Sequence, residues 1–437
     1  MDSDFWTKQP KKNPYLRYMK IGDVLKSSQY GISVSMNEEN RGYPIYRMNE
    51  IHNMLCDLSV DKCANISYVE FQIFELKNRD VLFNRTNSFE WVGRTGVYYQ
   101  NDDVKKTFAS YLVRFNPDDS IVLPEYLATY LSSRQGVWDV KRRARQSINQ
   151  TNVNPEEVKA IEIPILPMDF QKQIRDRFEK ANQNRIISQQ IYRQAEELLS
   201  ETIGLKDFKP SEKGTSIKSL KESFLTTGRL DAEYYQQKYE EIITKIKSQP
   251  HDVLGNLVTI KKSIEPGSDA YSDTGLPFIR VSDYNKFGIM TPEKCLSSGF
   301  CKTNAVLLKS LYPTKETILF SKDGSVGTSY MMSENMQAVT SGAILHLTVK
   351  DKSRILPEYL TLALNSEAVR QQAVRDAGGS IILHWRISEI EKVIIPIIDY
   401  KTQLQIAALV KESFALRKES ERLLEEAVQL VEKEIEK

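Results

Sequence analysis

Two long stretches of the chain, 168–203 and 400–437, contain neither glycine nor proline and place apolar residues three and four positions apart. An apolar period near 3.5 residues with charged flanks is typical of helices that pair in a coiled coil. Because neither stretch has an apolar partner within its own part of the chain, we expect the two helices to pair antiparallel. The predicted pairing residues are Phe178, Ala181, Tyr192, Ala195 and Leu199 in the first helix and Ala407, Val410, Phe414, Leu424, Val428 and Val431 in the second.

The rest of the chain has a different pattern, in which short apolar runs alternate with turns rich in Gly, Pro, Asn and Asp. The runs at 81–83 and 318–320 have the length and composition of buried strands between turns. Pro124 and Pro357 stand where the first turn of a short helix is expected. These segments predict two mixed α/β domains, one before each long helix.

The two mixed domains and their helices are copies of one unit. Leu-Pro-Glu-Tyr-Leu occurs at 123–127 and again at 356–360, and Ile-Pro-Ile occurs at 163–165 and again at 395–397. Three further matches keep the same order, at offsets between 229 and 233 positions. Matches in one order at nearly one spacing indicate a tandem duplication.

The predicted fold class is therefore α+β. We expect a tandem duplication of two mixed α/β domains separated by two long antiparallel coiled-coil helices, with pseudo-two-fold symmetry. The predicted boundaries are 1–167 and 205–399 for the mixed domains, and 168–204 and 400–437 for the long helices.

Composition changes this picture little. With a net charge of +2, a nucleic-acid-binding chain has to concentrate its basic residues locally. The four cysteines lack the spacing of a zinc site, so we expect reduced thiols and no metal. The first residues form no apolar signal core, and no apolar run approaches the ~20 residues that span a bilayer. We expect a soluble, cytoplasmic protein with no membrane contact.

The strongest local concentration of charge lies at 134–146, which carries five basic residues and one acidic residue and precedes the polar run 147–152. Arginine and lysine neutralise phosphates, whereas Asn, Gln and Arg read base edges. A solvated helix face is the alternative, and the sequence leaves it open. The candidates for DNA contacts in this region are Lys141, Arg142, Arg143, Arg145, Gln146 and Asn149.

The corresponding region of the second copy has less charge and different polar residues, as expected of two similar domains that read different sequences. The loops after the matched strands are further candidates, although a tight structural turn explains them equally well. The candidates outside the first basic stretch are Arg85 and Arg94 in the first copy and Arg280, Lys322, Arg375, His384 and Arg386 in the second.

Sequence motifs for catalysis are missing from both copies. The chain has no phosphate-binding GxxxxGK[ST] loop, no G-x-S-x-G nucleophile elbow, and no G-x-G-x-x-G that opens a helix after a strand. The lack of these motifs favours a binding protein over an enzyme, and we expect no catalytic residues and no cofactor in the chain.

Taken together, these motifs resemble the specificity subunit of type I restriction–modification systems. The stretch 229–235, Arg-Leu-Asp-Ala-Glu-Tyr-Tyr, is similar to that family's opening of a target-recognition domain. The stretch 80–88 is similar to its strand–loop signature, and Ile-Pro-Ile before a Gln-rich helix start is similar to the entry to its conserved helices. The resemblance covers essentially the whole chain.

The resemblance implies that each mixed domain is a target-recognition domain that reads one half of a split site in double-stranded DNA. It also implies docking of two methyltransferase subunits, which use S-adenosylmethionine, and of restriction subunits that translocate DNA using ATP. Two alternatives remain: a self-contained, divergent methyltransferase or nuclease, and a scaffold whose two domains bind proteins.

Overall fold

The computed structural model describes residues 12–148, 150–211, 215–379 and 381–437. The chain folds as two compact units. The first unit joins the residues up to Ile187 with Leu416–Lys437, and the second unit is Ser188–Ala415. The predicted domain boundaries follow the secondary structure, whereas the compact units divide each long helix near its middle.

The first unit contains strands at Tyr18–Lys20, Leu25–Tyr30, Met36–Asn37, Tyr43–Tyr46, Ile51–His52, Leu55–Cys56, Cys63–Ala64, Val81–Asn84, Thr86–Asn87, Thr95–Val97, Thr107–Phe108, Leu112–Pro117, Arg145–Gln146, Thr151–Asn152 and Glu162–Pro164. Its helices are Ile21–Val24, Tyr68–Phe74, Pro124–Ser132, Arg134–Lys141 and Pro155–Lys159. The first long helix, Met168–Thr202, follows them, and its residues up to Ile187 belong to this unit.

The second unit contains strands at His251–Val253, Val258–Lys262, Tyr271–Ser272, Leu276–Ile279, Tyr284–Asn285, Gly288–Ile289, Lys294–Leu296, Ile318–Ser321, Ser329–Met331, Val339–Thr340, Ile344–Val349 and Ile394–Pro396. Its helices are Phe224–Thr227, Ala232–Tyr235, Gln237–Lys247, Leu254–Leu257, Ser268–Ala270, Val281–Asp283, Ser298–Thr303, Ala305–Ser310, Pro357–Asn365, Glu367–Asp376 and Ile387–Ile390. The second long helix, Tyr400–Glu436, follows them, and its residues up to Ala415 belong to this unit.

The central sheets of the two units have the same strand order. In the second unit the order across the sheet is Val258–Lys262, Ile344–Val349, Ile318–Ser321 and Ser329–Met331, and all neighbours are antiparallel. The first unit repeats these four strands in the same order and adds two short ones at the edge. The central strands are buried on both faces, which explains their unbroken apolar sequence. The α+β tandem duplication is therefore confirmed.

The repeated sequence motifs hold the same positions in both units. In the first unit, the hydroxyl of Tyr126 donates to the carbonyl of Pro164 at 2.7 Å. The side chain of Gln171 accepts from the amide of Leu123 at 2.8 Å and donates to the carbonyl of Leu166 at 2.9 Å. These bonds join the Leu-Pro-Glu-Tyr-Leu helix to the Ile-Pro-Ile strand and to the start of the long helix.

The second unit makes the same bonds with its own copies of these residues. Tyr359 donates to the carbonyl of Pro396 at 2.7 Å, and Gln403 accepts from the amide of Leu356 at 3.0 Å. Burial of a backbone amide without a partner is costly, so an amide side chain at this point is worth retaining in both copies.

The two long helices begin at the predicted residues; the first ends two residues before the predicted boundary at 204, and the second ends one residue before 437. Each compact unit contains the N-terminal half of one long helix and the C-terminal half of the other, and the helices run antiparallel as predicted. In the first unit the hydroxyl of Ser420 donates to the carbonyl of Ala181 at 2.8 Å, and in the second the hydroxyls of Ser188 and Ser413 lie 2.9 Å apart. All the predicted pairing residues are buried or half-buried.

The segment 416–437 completes the core of the first unit. Leu424, Ala427 and Val431 belong to the same buried cluster as Ile174 and Phe178 of the first long helix. Within the described residues, no helix is both long enough and apolar enough to span a bilayer.

Candidate nucleic-acid interface

Two short paired strands follow the helix Arg134–Lys141 in the first unit, and we call residues 145–148 and 150–152 the first finger. Arg145–Gln146 pairs antiparallel with Thr151–Asn152, and the amide of Ser147 donates to the carbonyl of Gln150 at 2.8 Å. The inner strand of the finger also pairs with Thr86–Asn87, which places the loop after the central strand beside the finger.

The second unit has a corresponding finger at 378–379 and 381–384, after the helix Glu367–Asp376. Gly378 and His384 exchange backbone hydrogen bonds of 3.0 and 2.7 Å, which close the loop between them. His384 also forms an antiparallel bridge with Asp323, in the loop after the central strand. Each unit thus places a finger and a strand-end loop at one surface.

The side chains that join each finger to its loop differ between the units. In the first unit the hydroxyl of Thr86 donates to Oδ1 of Asn152 at 2.6 Å. In the second unit Nδ1 of His384 lies 2.9 Å from Oδ1 of Asp323. The same backbone arrangement therefore presents a neutral polar pair on one finger and an ionisable pair on the other.

Three of the predicted cations in the first unit turn towards the protein. The guanidinium groups of Arg142 and Arg143 both form ion pairs with the buried carboxylate of Asp139, and their side chains are only 14% and 8% exposed. Lys141 donates to the carbonyls of Phe89 and Glu90, and burial lowers the pKa of its ammonium to about 8. These contacts hold the helix end against the loop at 89–90.

The finger itself carries exposed polar residues. Arg145 is 74% exposed and pairs with Oε1 of Glu157 at 2.8 Å, and Gln146 is exposed beside it. An ion pair at such an exposed position is weak and exchanges readily for another anion. Asn149, also predicted to contact DNA, lies outside the described residues.

Arg85 and Arg94 lie on the strand-end loop of the first unit and are half-buried. The guanidinium of Arg85 lies 5.2 Å from the ring centre of Tyr30, and that of Arg94 lies 3.2 Å from the ring centre of Trp91. Aromatic faces hold both groups in place through cation–π contacts.

Most predicted cations of the second unit are also paired within the unit. Arg375 pairs with Asp376 at 2.6 Å, and Lys322 pairs with Asp323. Arg280 reaches Asp283 at 3.0 Å and Glu293 at 2.5 Å.

Two of the second unit's candidates are well exposed at the finger. The side chain of Arg386 is 82% exposed and lies 4.0 Å from Glu389, and His384 is also exposed.

The structure therefore brings Arg85, Arg145 and Gln146 together in one unit and Lys322, His384 and Arg386 in the other. Asn152 and Asp323, which shape the two fingers, lie in stretches that the sequence singled out but were not among the named candidates. Their hydrogen-bonded partners, far away in sequence, identify them.

Comparison with known proteins agrees with this arrangement of two similar units. A model of the type I restriction modification DNA specificity domain matches residues 16–197 and 253–428, which together are most of the chain. The chain therefore belongs to this family, and the predicted resemblance to type I specificity subunits is confirmed.

Individual relatives are distant. A putative type I restriction enzyme specificity subunit, MjaX, from Methanocaldococcus jannaschii is 26% identical over 159 residues, which cover 36% of this chain and 36% of that protein. The matched region thus spans about a third of that relative's length. The S subunit of a type I restriction–modification system from M. genitalium is 14% identical, with 97% of each chain covered and a TM-score of 0.41. The HsdS subunit from Thermoanaerobacter tengcongensis is 13% identical, with 98% of each chain covered and a TM-score of 0.31.

Proposed function

We propose that this chain is the DNA sequence-specificity subunit of a type I restriction–modification complex and that each unit reads one half of a bipartite site. The observation that carries the proposal is the pair of fingers. Two units with one framework present different polar residues at the same place, which suits two readers of different sequences.

The chemistry of the fingers suits double-stranded DNA. The major groove admits a two-stranded β ribbon, and amide, imidazole and guanidinium groups are the side chains that recognise base edges there. Exposed Arg145 and Arg386 flank the fingers and can exchange their weak intramolecular partners for phosphates.

In this proposal the chain itself is not catalytic. It docks two methyltransferase subunits, which bring S-adenosylmethionine, and restriction subunits, which bring ATP and move the DNA. Family membership supports these partners.

The test is a map of methylated bases in a host where this chain is the only specificity subunit and is produced with its methyltransferase. We expect one split motif with two defined halves. Asn152→Ala in the first finger and His384→Ala in the second should each relax one half and leave the other intact. Loss of a base contact costs ~1–3 kcal/mol at one base pair.

Lys309→Ala provides the control, because Lys309 is an exposed cation on a helix outside both fingers. It should leave the motif unchanged. If both finger variants altered both halves together, the assignment of one half to each unit would be wrong. Binding of S-adenosylmethionine by the isolated chain would favour a self-contained methyltransferase instead, and failure of the complex to retain any duplex would favour a protein-binding scaffold.

A further inference from the structure

The tip of each finger carries an isoleucine whose side chain is exposed to solvent. Ile148 in the first finger is 99% exposed, and Ile381 in the second is 95% exposed. The two residues are 233 positions apart, which is also the offset of the Leu-Pro-Glu-Tyr-Leu repeat, and each follows a serine in the sequence. The duplication has therefore retained an exposed isoleucine at the tip of both fingers.

Apart from this Ser-Ile pair, the two fingers differ in sequence. Arg145 and Gln146 of the first finger correspond to Gly378 and Gly379 of the second, and Asn152 corresponds to His384. Isoleucine is among the residues most often buried, and a single exposed one needs no explanation. The same exposed isoleucine on two otherwise different fingers indicates a task that both fingers share.

The surroundings of the two tips favour DNA as the partner. An apolar side chain beside an exposed cation matches a duplex, in which phosphates lie outside and apolar base faces lie inside. Arg145 precedes Ile148 in the first finger, and Arg386 follows the tip of the second. In the second finger Ile382 and Leu383 are also partly exposed, which enlarges its apolar tip.

We propose that Ile148 and Ile381 are apolar wedges, each of which enters the base stack within the half-site that its unit reads. The proposal rests on the function proposed above. Architectural proteins that unstack a base step insert apolar side chains such as isoleucine from the minor groove. Here the same kind of insertion would come from the tip of a finger, and it does not depend on the identity of one base.

A shared wedge explains the retention better than a shared base contact does. In the major groove, the apolar partner for isoleucine is the 5-methyl group of thymine. That contact would require a thymine at the same place in both half-sites, although the polar residues beside the tips differ. A wedge serves two different half-sites equally well. Unstacking also suits a methyltransferase partner, because enzymes that modify a base take it out of the stack.

The experiment uses the complex of the full chain with its methyltransferase subunit and duplexes that carry the mapped site. 2-Aminopurine, which becomes more fluorescent when it unstacks, replaces one purine at a time in both half-sites. We expect the native complex to raise the fluorescence at one step in each half-site. Ile148→Ala should reduce the rise at least about threefold in one half-site only, and Ile381→Ala in the other half-site only.

For each variant, the half-site that the unaltered unit reads is an internal control on the same duplex. Ile148→Leu keeps an apolar side chain of the same size and should retain the signal. Val306→Ala removes an equally exposed apolar side chain from a helix outside the fingers and should change nothing. Because Ile148 and Ile381 are almost fully exposed, their truncation removes no buried contact from either unit.

Three results separate the proposals. If the variants leave every 2-aminopurine signal unchanged while the complex still prefers the mapped site, the wedge is overturned. It is also overturned if Ile148→Ala weakens binding only when a particular thymine is present and uracil at that position removes the effect, because the tip then reads a methyl group. If the native complex does not prefer the mapped site to a scrambled duplex, the proposed function itself fails before any variant is compared.

Discussion

The glutamate of the repeated Leu-Pro-Glu-Tyr-Leu sequence is buried in both units, but its cation differs. In the first unit Glu125 accepts two bonds of 2.8 Å from the guanidinium of Arg79 and a third, of 2.9 Å, from the hydroxyl of Tyr99. In the second unit Glu358 pairs with Nζ of Lys411 at 3.0 Å, on a lysine that is mostly exposed. The duplication has kept the acid and exchanged the group that neutralises it.

The central sheets differ in the same way. Arg114 in the first unit and His346 in the second stand at equivalent positions, because each pairs with the leucine at the same place on the central strand. Arg114 forms an ion pair with Asp80 at 3.1 Å, whereas Nε2 of His346 lies 2.9 Å from the hydroxyl of Thr340. The bonds that join backbone segments are shared, and the polar partners around them have diverged independently.

The largest difference between the units should appear when the cation of the buried glutamate is removed. Arg79→Leu leaves Glu125 buried without its partner and should lower the stability of the first unit by ~3–5 kcal/mol. Lys411→Ala also leaves a buried glutamate, Glu358, without its cation, but it removes a single contact to a mostly exposed ammonium, so the second unit should lose less, ~1–3 kcal/mol. Hydrogen exchange during denaturant unfolding measures both units in one sample.

The double variant Arg79→Leu, Glu125→Leu is the matched control. It removes both charges and should recover much of the lost stability, since an apolar pair can replace a buried ion pair. Equal losses for Arg79→Leu and Lys411→Ala would contradict the distinction between the two units.

The next largest difference between the units should be in how their stability depends on acidic pH. Burial lowers the pKa of His346 from 6.5 to about 4, so the unfolded chain binds a proton between these values while the folded second unit does not. Stability rises with pH wherever the unfolded state binds more protons. The second unit should therefore lose on the order of 2–3 kcal/mol as the pH falls from 6.5 to 4.

His346→Gln should abolish this loss, and unfolding of each unit followed against pH checks it. In the first unit burial raises the pKa of Asp80, and that shift favours the folded state on acidification. If the first unit lost as much stability as the second over this range, His346 would not be the cause.

A smaller effect concerns the two kinds of arginine at the first finger. Arg145→Ala should reduce the salt slope of DNA binding by up to ~0.9, because an exposed guanidinium is available to a phosphate. Arg143→Ala should leave the slope unchanged and destabilise the first unit, since Arg143 is buried against Asp139. Titrations of the complex with duplex at several salt concentrations measure the slope. A reduced slope for Arg143→Ala would show that the helix end opens to meet DNA.

The smallest predicted effect lies in the second unit, where the two long helices meet. Ser188→Ala removes a buried hydroxyl contact with Ser413 and should cost ~1 kcal/mol, because the hydroxyl of Ser413 loses its side-chain partner. Ser188→Ala with Ser413→Ala should cost no more than the single change. Denaturant unfolding of the second unit compares them, and a larger loss for the double variant would contradict this interpretation.

Much of the fold could be predicted from the sequence because it depends on periodicity and repetition. The extents of both long helices and the duplication follow from patterns spread over many residues. The direction of the basic side chains could not be predicted from composition. Arg142 and Arg143 follow Asp139 by three and four residues, a spacing that favours ion pairs along a helix, so their inward pairing had a local signal.

Other parts of the site had no such signal. His384 meets Asp323 across 61 positions of sequence, and only the pairing of strands brings them together. The exposure of Ile148 and Ile381 could not be predicted either, because an isoleucine in a sequence is most simply interpreted as part of a core. Contacts between residues far apart in sequence, and the exposure of the finger tips, are therefore known only from the structure.

The division of the long helices also sets the order in which the chain can mature during synthesis. The first unit needs 416–437 for its core, and the whole of the second unit, Ser188–Ala415, is made before that segment emerges. At roughly 5–20 residues per second, the first unit waits between roughly 10 and 45 s with the apolar face of its long helix uncovered. The second unit is one continuous stretch of chain, so both of its helix segments are present as soon as Ala415 has been synthesised. The unit that begins first is therefore the one that finishes last, and we expect its apolar core to be covered later than that of the second unit.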